Sequence, residues 1–441
     1  MIFILGIILT SLLGGLLFLI LTPKMDFFEK LALCFPFGLG ILTFLMFLGS
    51  LAGIGLNLGN ILLTLFCLVF VLMIVSKDKL KPFIKGLRID SFRKFSLGER
   101  IIFILLVSLV LYVVISNFYW PVTDWDALTL YDFRAKLIAQ TGSISGFGEE
   151  IGFNRLYYAY PLMTSLAHVW VRLLGFLNPR FIYTLFYLGL LVGLYFSVKK
   201  ASTRLIGLLF TLILGTNDMI FGHALMTYTN LPFVFYFYIG TIFQLEFMEK
   251  GKIGYLVVGA LSLGLSAWTR GLEPFYLVNI FLLFLWTIKQ RNFLPLIIFL
   301  VIFLPFQRVW PIYVNQVVEG PLPIKSPFTQ SFQILTSGID FQRILKVTRF
   351  IWESVFVSWG PIFIIFCFIA LYNLSKNKKL DWFLLLIGLN IALIIGGTYI
   401  FSFMFLKWEI IPGSVSRMAM FLIPFFLYYI AKSGLVKRVI K

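Results

Sequence analysis

Apolar runs of about 17–25 residues recur along nearly the whole chain, separated by short basic loops. Each run is long enough to cross a hydrocarbon core of about 30 Å as a helix. In lipid every backbone amide must find its partner within the protein, so only helices and closed barrels span. Continuous apolar runs lack the alternation of a barrel strand. The expected fold class is therefore an all-α integral membrane protein with many spans. Composition agrees, with 60% hydrophobic and 13% charged residues, against about 25% charged in soluble domains.

The net charge of +18 does not point to nucleic acid. The basic residues sit in short loops: "KDKLKPFIKGLRIDSFRKFSLGER" (Lys77 to Arg100), "KKASTR" (Lys199 to Arg204), "EKGK", "KQR", "KNKK" and the tail from Lys432. That is positive-inside topology, and no aromatic-basic stacking module accompanies it. Cys34, Cys67 and Cys367 lie in apolar runs with no CxxC or Cys/His spacing. The first run, "MIFILGIILTSLLGGLLFLILT", lacks a basic leader and a cleavage site and reads as a retained helix.

With the basic loops in the cytoplasm, spans are expected near 1–22, 31–53, 58–75, 101–118, 180–198, 205–222, 230–248, 253–269, 274–288, 293–310, 351–374, 380–401 and 417–432. That makes about thirteen, in a multi-pass protein of the inner or plasma membrane. Residues 1–100 read as a three-helix extension with a basic cytoplasmic loop, and 101–441 as the domain that carries the chemistry. Extracytoplasmic stretches are expected near 118–179, 311–350 and 402–417. The second contains "EGPLPIKSPFTQ", an irregular segment expected to close over a bound substrate. Within the first, "YYAYPLMTSLAHVWVRLLGF" places Thr164, His168 and Arg172 on one helical stripe opposite Leu162, Leu166, Val169 and Leu173. That pattern suits a helix lying in the interface. A spanning helix there would put "KKASTR" outside and break the charge pattern.

The carboxylates of the first loop stand out. "TDWDALTLYDFRAKLI" brings Asp124, Asp126 and Asp132 directly after a span, among Tyr119, Trp120, Trp125 and Tyr131. Solvated loop aspartates are ordinary, and Asp124 also suits a helix N-cap before Trp125. Their position at the membrane boundary gives them a functional reading as well. Asp132 is expected to pair with Arg134 or Lys136.

The order of five segments resembles the GT-C superfamily of polyprenyl-phosphate-sugar-dependent glycosyltransferases, which includes the aminoarabinose lipid A transferases and the dolichyl-phosphate-mannose protein mannosyltransferases. "WDALTLYDFRAKLI" is similar to the first-loop signature of the aminoarabinose-transferase type, and "AYPLMTSLAHVW" to the interfacial helix. "HALMTYTNLPFVFYF", "SLGLSAWTRGLEPF" and "SVSRMAMFLIPF" resemble later motifs of the same superfamily. The likeness covers roughly 101–430. Asn230 stands where an Asp is common, and the first-loop acids are Asp-Trp-Asp rather than adjacent.

The resemblance implies transfer of a sugar from a polyprenyl-phosphate-linked donor to a lipid, glycan or protein acceptor on the extracytoplasmic face. Asp124 or Asp126 would be the general base. Arg270 and Arg417 would hold the donor phosphate, since guanidinium groups suit phosphate oxygens. Arg308 and Lys407 read as snorkelling cations. His168, Arg172, Asp218, Asn230, Glu273 and Glu353 are candidates to line the cavity, although Glu273 also lies three residues from Arg270 and can pair with it. His168 and His223 are the only histidines; they form no metal-binding pattern, and the cofactor, a divalent metal included, is left open. The runner-up readings are a lipid-linked glycan polymerase or ligase, which would display basic rather than acidic groups, and a polytopic transporter, which would need ionisable groups at mid-membrane.

Overall fold

The helices begin and end where the sequence provides caps. Ser96 accepts the Glu99 amide at 3.3 Å while Glu99 accepts the Ser96 amide at 2.8 Å, a reciprocal capping box that starts a helix. Asp26 does the same for its own helix through the Phe28 amide, and Asn217 through that of Ile220. In the computed structural model, which describes residues 1–22, 25–85, 95–145, 158–271, 274–317, 334, 338–377, 381–404, 407–410 and 412–439, all described elements are helical. The long helices are α1 (Ile2–Leu21), α2 (Phe27–Leu51), α3 (Leu58–Lys85) and α4 (Leu97–Tyr119). A π-helical turn, Ala127–Tyr131, leads into α5 (Asp132–Thr141), followed by α6 (Met163–Leu173) and α7 (Phe181–Ala201). Next come α8 (Arg204–Thr216), α9 (Asp218–Ala224), α10 (Asn230–Lys250), α11 (Ile253–Thr269), α12 (Tyr276–Gln290) and α13 (Leu294–Val317). The chain finishes with α14 (Phe341–Ile351), α15 (Ile362–Asn377), α16 (Trp382–Met404), α17 (Pro412–Ala419), α18 (Leu422–Lys432) and α19 (Gly434–Val439).

Among the described residues eight helices are long and apolar enough to cross a membrane, or nine if α8 and α9, which bend by 69° at their junction, form one span. The expected count of about thirteen is therefore not reached on length. The reason is local: α11, α12, α15 and α18 form as helices but fall short. At 1.5 Å per residue, the 11 residues of α18 reach about 16 Å, well under a full hydrocarbon thickness.

The core runs through α2, α7 and α10, the most buried of the long helices. α1 and α2 approach backbone to backbone, and this is what glycine permits there. A Cβ on Gly14 would sit 2.0 Å from the Cys34 carbonyl, and one on Gly38 would sit 1.8 Å from that of Thr10. Small residues at such crossings let membrane helices gain close packing. The two N-terminal helices are tied to later ones by buried polar contacts. Trp170 donates to Thr10 at 3.2 Å, Trp268 to Thr43 at 3.2 Å, and Lys200 pairs with Glu29 at 2.9 Å.

Two expectations need correction. α6 does not lie with one wet face. Residues Met163 to Val171 are all buried, because α6 packs against α2, α5 and α11. Its polar stripe faces an internal carboxylate instead of water. Irregular backbone does not begin at Pro311, since α13 continues through Pro305 and Pro311 to Val317. Residues 318–333 and 335–337 of the expected cover lie outside the described residues, and the described end of that stretch is the helix α14.

Candidate functional site

The segment between α4 and α5 is held from three sides. Arg180, at the start of α7, donates to the carbonyls of Pro121 at 2.7 Å and of Leu225, and to Asn117 Oδ1 at 3.3 Å. Asn178 donates to the carbonyls of Asn117 and Trp120 at 3.0 and 2.9 Å. Asn117 itself donates to Thr184 at 2.9 Å and to the Ala224 carbonyl at 2.8 Å. Buried polar groups rarely go unpaired, and this clamp pairs those at the end of α4 while fixing the approach to Asp124.

Asp124 and Asp126 then take different environments. Asp126 accepts a bond from Arg417 at 3.1 Å, in a pair whose side chains are 45% and 31% exposed. Asp124 is half-buried, and its Oδ2 is buried without a hydrogen bond to any described residue. The side chain does not act as the N-cap of the following turn. Only its carbonyl enters that turn, taking the Leu128 amide at 2.9 Å.

The two arginines expected to hold a donor phosphate meet at one short segment, Thr227 to Asn230. Arg417, on α17, lies over the Tyr228 ring at 5.6 Å, and its carbonyl accepts from Asn230 at 3.3 Å. Arg270, buried at the end of α11, donates to Thr229 at 3.4 Å and lies over the Tyr160 ring at 5.3 Å. Thr229 in turn meets the Tyr131 hydroxyl at 3.3 Å. Tyr131, Tyr160 and Tyr228 thus line the space below the two guanidinium groups, with ring centroids 6.1 and 6.4 Å apart around Tyr131. Burial pushes the Tyr131 hydroxyl up to about 12 and raises that of Tyr228, so both stay protonated and able to donate. His223 packs beside Tyr228 at 6.3 Å and donates Nδ1–H to the Met219 carbonyl at 2.8 Å. Its Nε2, like Thr227 Oγ1, is buried without a described partner.

A second cluster closes over Asp132, which is 2% exposed. Arg172 reaches its two oxygens at 2.7 Å each, Lys136 at 3.3 Å, and His168 Nδ1 stands 3.4 Å away. Burial opposes ionisation here, but the hydrogen bonds from His168 and Arg172 and the charge of Arg172 outweigh it and hold the carboxyl well below its ordinary range. Burial also depresses His168. The imidazole is therefore neutral, and its Nε2 meets the Tyr183 hydroxyl at 3.1 Å. Of the two expected partners of Asp132, Lys136 is present and Arg134 is not. Arg134 is fully buried and donates to Ser165 at 3.1 Å and to the Tyr160 carbonyl at 2.9 Å. Burial brings it down to about 10, and it remains a cation at neutral pH.

The structure thus gathers Asp124, Asp126, Arg270, Arg417 and Asn230 at one corner. His168 and Arg172 belong to the closed Asp132 cluster and do not line that corner. Glu353 is exposed and pairs with Arg349 at 2.8 Å, so it too lies apart. Asp218 is an exposed first-turn residue of α9. Arg308 and Lys407 are exposed. Glu273 lies outside the described residues. Among the described residues no group of three or more His, Cys, Asp or Glu side chains is arranged to hold a metal ion. Sequence reading missed Arg180, Tyr160, Tyr228 and Thr229, and gave Arg134 the wrong partner. A usable signal existed for two of them: an arginine opening an otherwise apolar helix at "NPRFIY", and a tyrosine between two threonines in "TYTN". No family model, curated protein or solved structure matches the chain.

Proposed function

We propose that this protein is a membrane glycosyltransferase that takes a sugar from a polyprenyl-phosphate-linked donor and passes it to an acceptor hydroxyl on the face opposite the basic loops. One observation carries this reading: Asp124, whose buried Oδ2 meets no described donor, lies within electrostatic reach of Arg180 and of Tyr228, the ring under Arg417. A buried oxygen without a partner is unfavourable unless a ligand supplies a donor. An acceptor hydroxyl is such a donor. Asp124 is the general base and removes the hydroxyl proton as that oxygen bonds to the anomeric carbon. The bond from that carbon to the phosphate oxygen breaks, and the phosphate leaves with the electron pair. Arg270 and Arg417 stabilise the charge it gains. Asp126 has a different task, orienting Arg417. The tyrosines offer flat faces and hydroxyls to a sugar ring.

The test is direct. Purified protein in vesicles is incubated with labelled polyprenyl-phosphate sugars, and donor consumption is followed. The wild type is expected to consume at least one donor and Asp124→Asn to consume it far more slowly while still binding it. No consumption of any such donor, or equal turnover in the variant, overturns the reading. Labelling of Ser143→Cys from outside sealed cells tests the side of the membrane; protection until permeabilisation places the site on the other face.

A further inference from the structure

At the other end of the molecule, about 28 Å along α7 from Arg180 to Lys199, α4 stands away from the bundle and leaves a groove. Its volume is about 650 Å³, within the range of roughly 300–1,000 Å³ typical of small-ligand sites. Val107, Val110 and Leu111 of α4 form one wall, and Leu188, Leu191 and Tyr195 of α7 form the other. From Leu188 to Lys199 the groove runs about 16 Å, close to the ~15 Å of one leaflet's hydrocarbon.

The mouth is built from charged groups of defined pairing. Arg204 lies over the Phe95 ring at 4.4 Å and bonds Glu99 at 2.8 Å, so its charge is matched within the protein. Lys199 faces only the rings of Tyr195 and Phe196, at 5.7 and 5.3 Å, and makes no ion pair among the described residues. Asp26 lines the same mouth and uses one oxygen to cap α2 through the Phe28 amide. Lys199 and Asp26 thus face the open end of an apolar slot, with Asp26 also in the field of the Lys30 ammonium.

We propose that this groove binds one phospholipid from the leaflet on the basic-loop side, with an acyl chain between α4 and α7, the phosphate at Lys199 and a headgroup ammonium at Asp26. The chemistry favours a phosphoethanolamine headgroup, which carries an anion and a primary ammonium a few atoms apart. A purely anionic headgroup would meet Lys199 but place uncompensated charge beside Asp26. The site is independent of the sugar-transfer corner.

The experiment is native mass spectrometry of the intact protein taken from vesicles holding equal amounts of phosphoethanolamine and phosphoglycerol lipids. The wild type should retain one phosphoethanolamine lipid. Lys199→Glu should lower that retention by roughly tenfold, since each basic residue near a lipid surface contributes about 1 kcal/mol and the change reverses the sign. Val107→Trp fills the slot from a position that is 50% exposed and should lower retention with unchanged thermal unfolding. Asp26→Asn keeps the cap and should shift retention toward phosphoglycerol lipid. Preference for phosphoglycerol in the wild type, or retention unmoved by both Lys199→Glu and Val107→Trp, overturns the proposal.

Discussion

Asp124 and Asp132 lie eight residues apart on one continuous segment, yet they are opposites. Asp132 is sealed, with Arg172, Lys136 and His168 around it. Asp124 is open, with a buried oxygen that no described residue meets. The difference shows how a membrane protein short of charge uses the same side chain twice. A sealed carboxylate joins α5 to α6 and holds a fold together. An open one ties no elements together, and under the function proposed above it is the reagent.

Substitutions sharpen or break this contrast. The largest effect is expected at the open acid. Asp124→Asn should lower sugar transfer by about 10²–10⁴-fold, the usual contribution of a general base, with donor binding and thermal unfolding near wild type. A large fall in melting temperature in place of a fall in rate would mean that Asp124 is structural too. At the sealed acid the pattern reverses. Asp132→Ala strands Arg172 and should destabilise the fold by roughly 3–5 kcal/mol, as removal of one partner of a buried pair does. Unfolding in detergent would show it, and an unaltered transition would remove the distinction. Asp126 should fall between them. Its pair with Arg417 is partly exposed, worth about 0–1 kcal/mol of stability, so Asp126→Asn should weaken donor affinity more than it weakens the fold. Arg417→Lys should not restore that affinity fully, because lysine lacks the guanidinium fork.

The smallest effect is in pH dependence. Asp132 titrates well below its ordinary 3.8 in the folded chain, so its stabilisation is complete above that value and is lost only as pH falls through the lower folded value. His168 is depressed from 6.5. Between its folded value and 6.5 the unfolded chain binds a proton that the folded chain does not, so stability falls as pH drops below about 6.5. His168→Gln should flatten the melting temperature as pH falls below about 6.5. A slope equal to the wild type would assign that dependence to other groups.

The sequence made some of this plain. Apolar runs and cap residues are local signals, and the helices form where those signals stand. The pairing of Asp126 with Arg417 spans 291 residues; both residues were singled out in the sequence, but not as partners. Of the sealed cluster only the Asp132–Lys136 pair was legible. A stripe of Thr164, His168 and Arg172 looks the same whether it faces water or a hidden carboxylate, and the partner of Arg172 lies 40 residues away. Periodicity reports that a face is polar and says nothing about what meets it. Arg180 was missed for a related reason, since three of its contacts are with carbonyls and an Asn, groups that leave no mark in a list of charges.

The π-helical turn Ala127–Tyr131 separates the open acids from the sealed one, and it sets their relative phase. A π turn behaves as one residue inserted into an α-helix, and one residue of helix amounts to about 100° of rotation. Deleting Thr129 would let the turn relax to ordinary helix and swing Trp125 and the two acids beside it around the axis relative to Asp132. Either the anchor at Arg172 would hold and the acids would turn away from Arg417, or the acids would stay and the anchor would break. The chain length between them is thus a setting in its own right, and a single deletion that removes no charged group should be as damaging as the loss of a carboxylate.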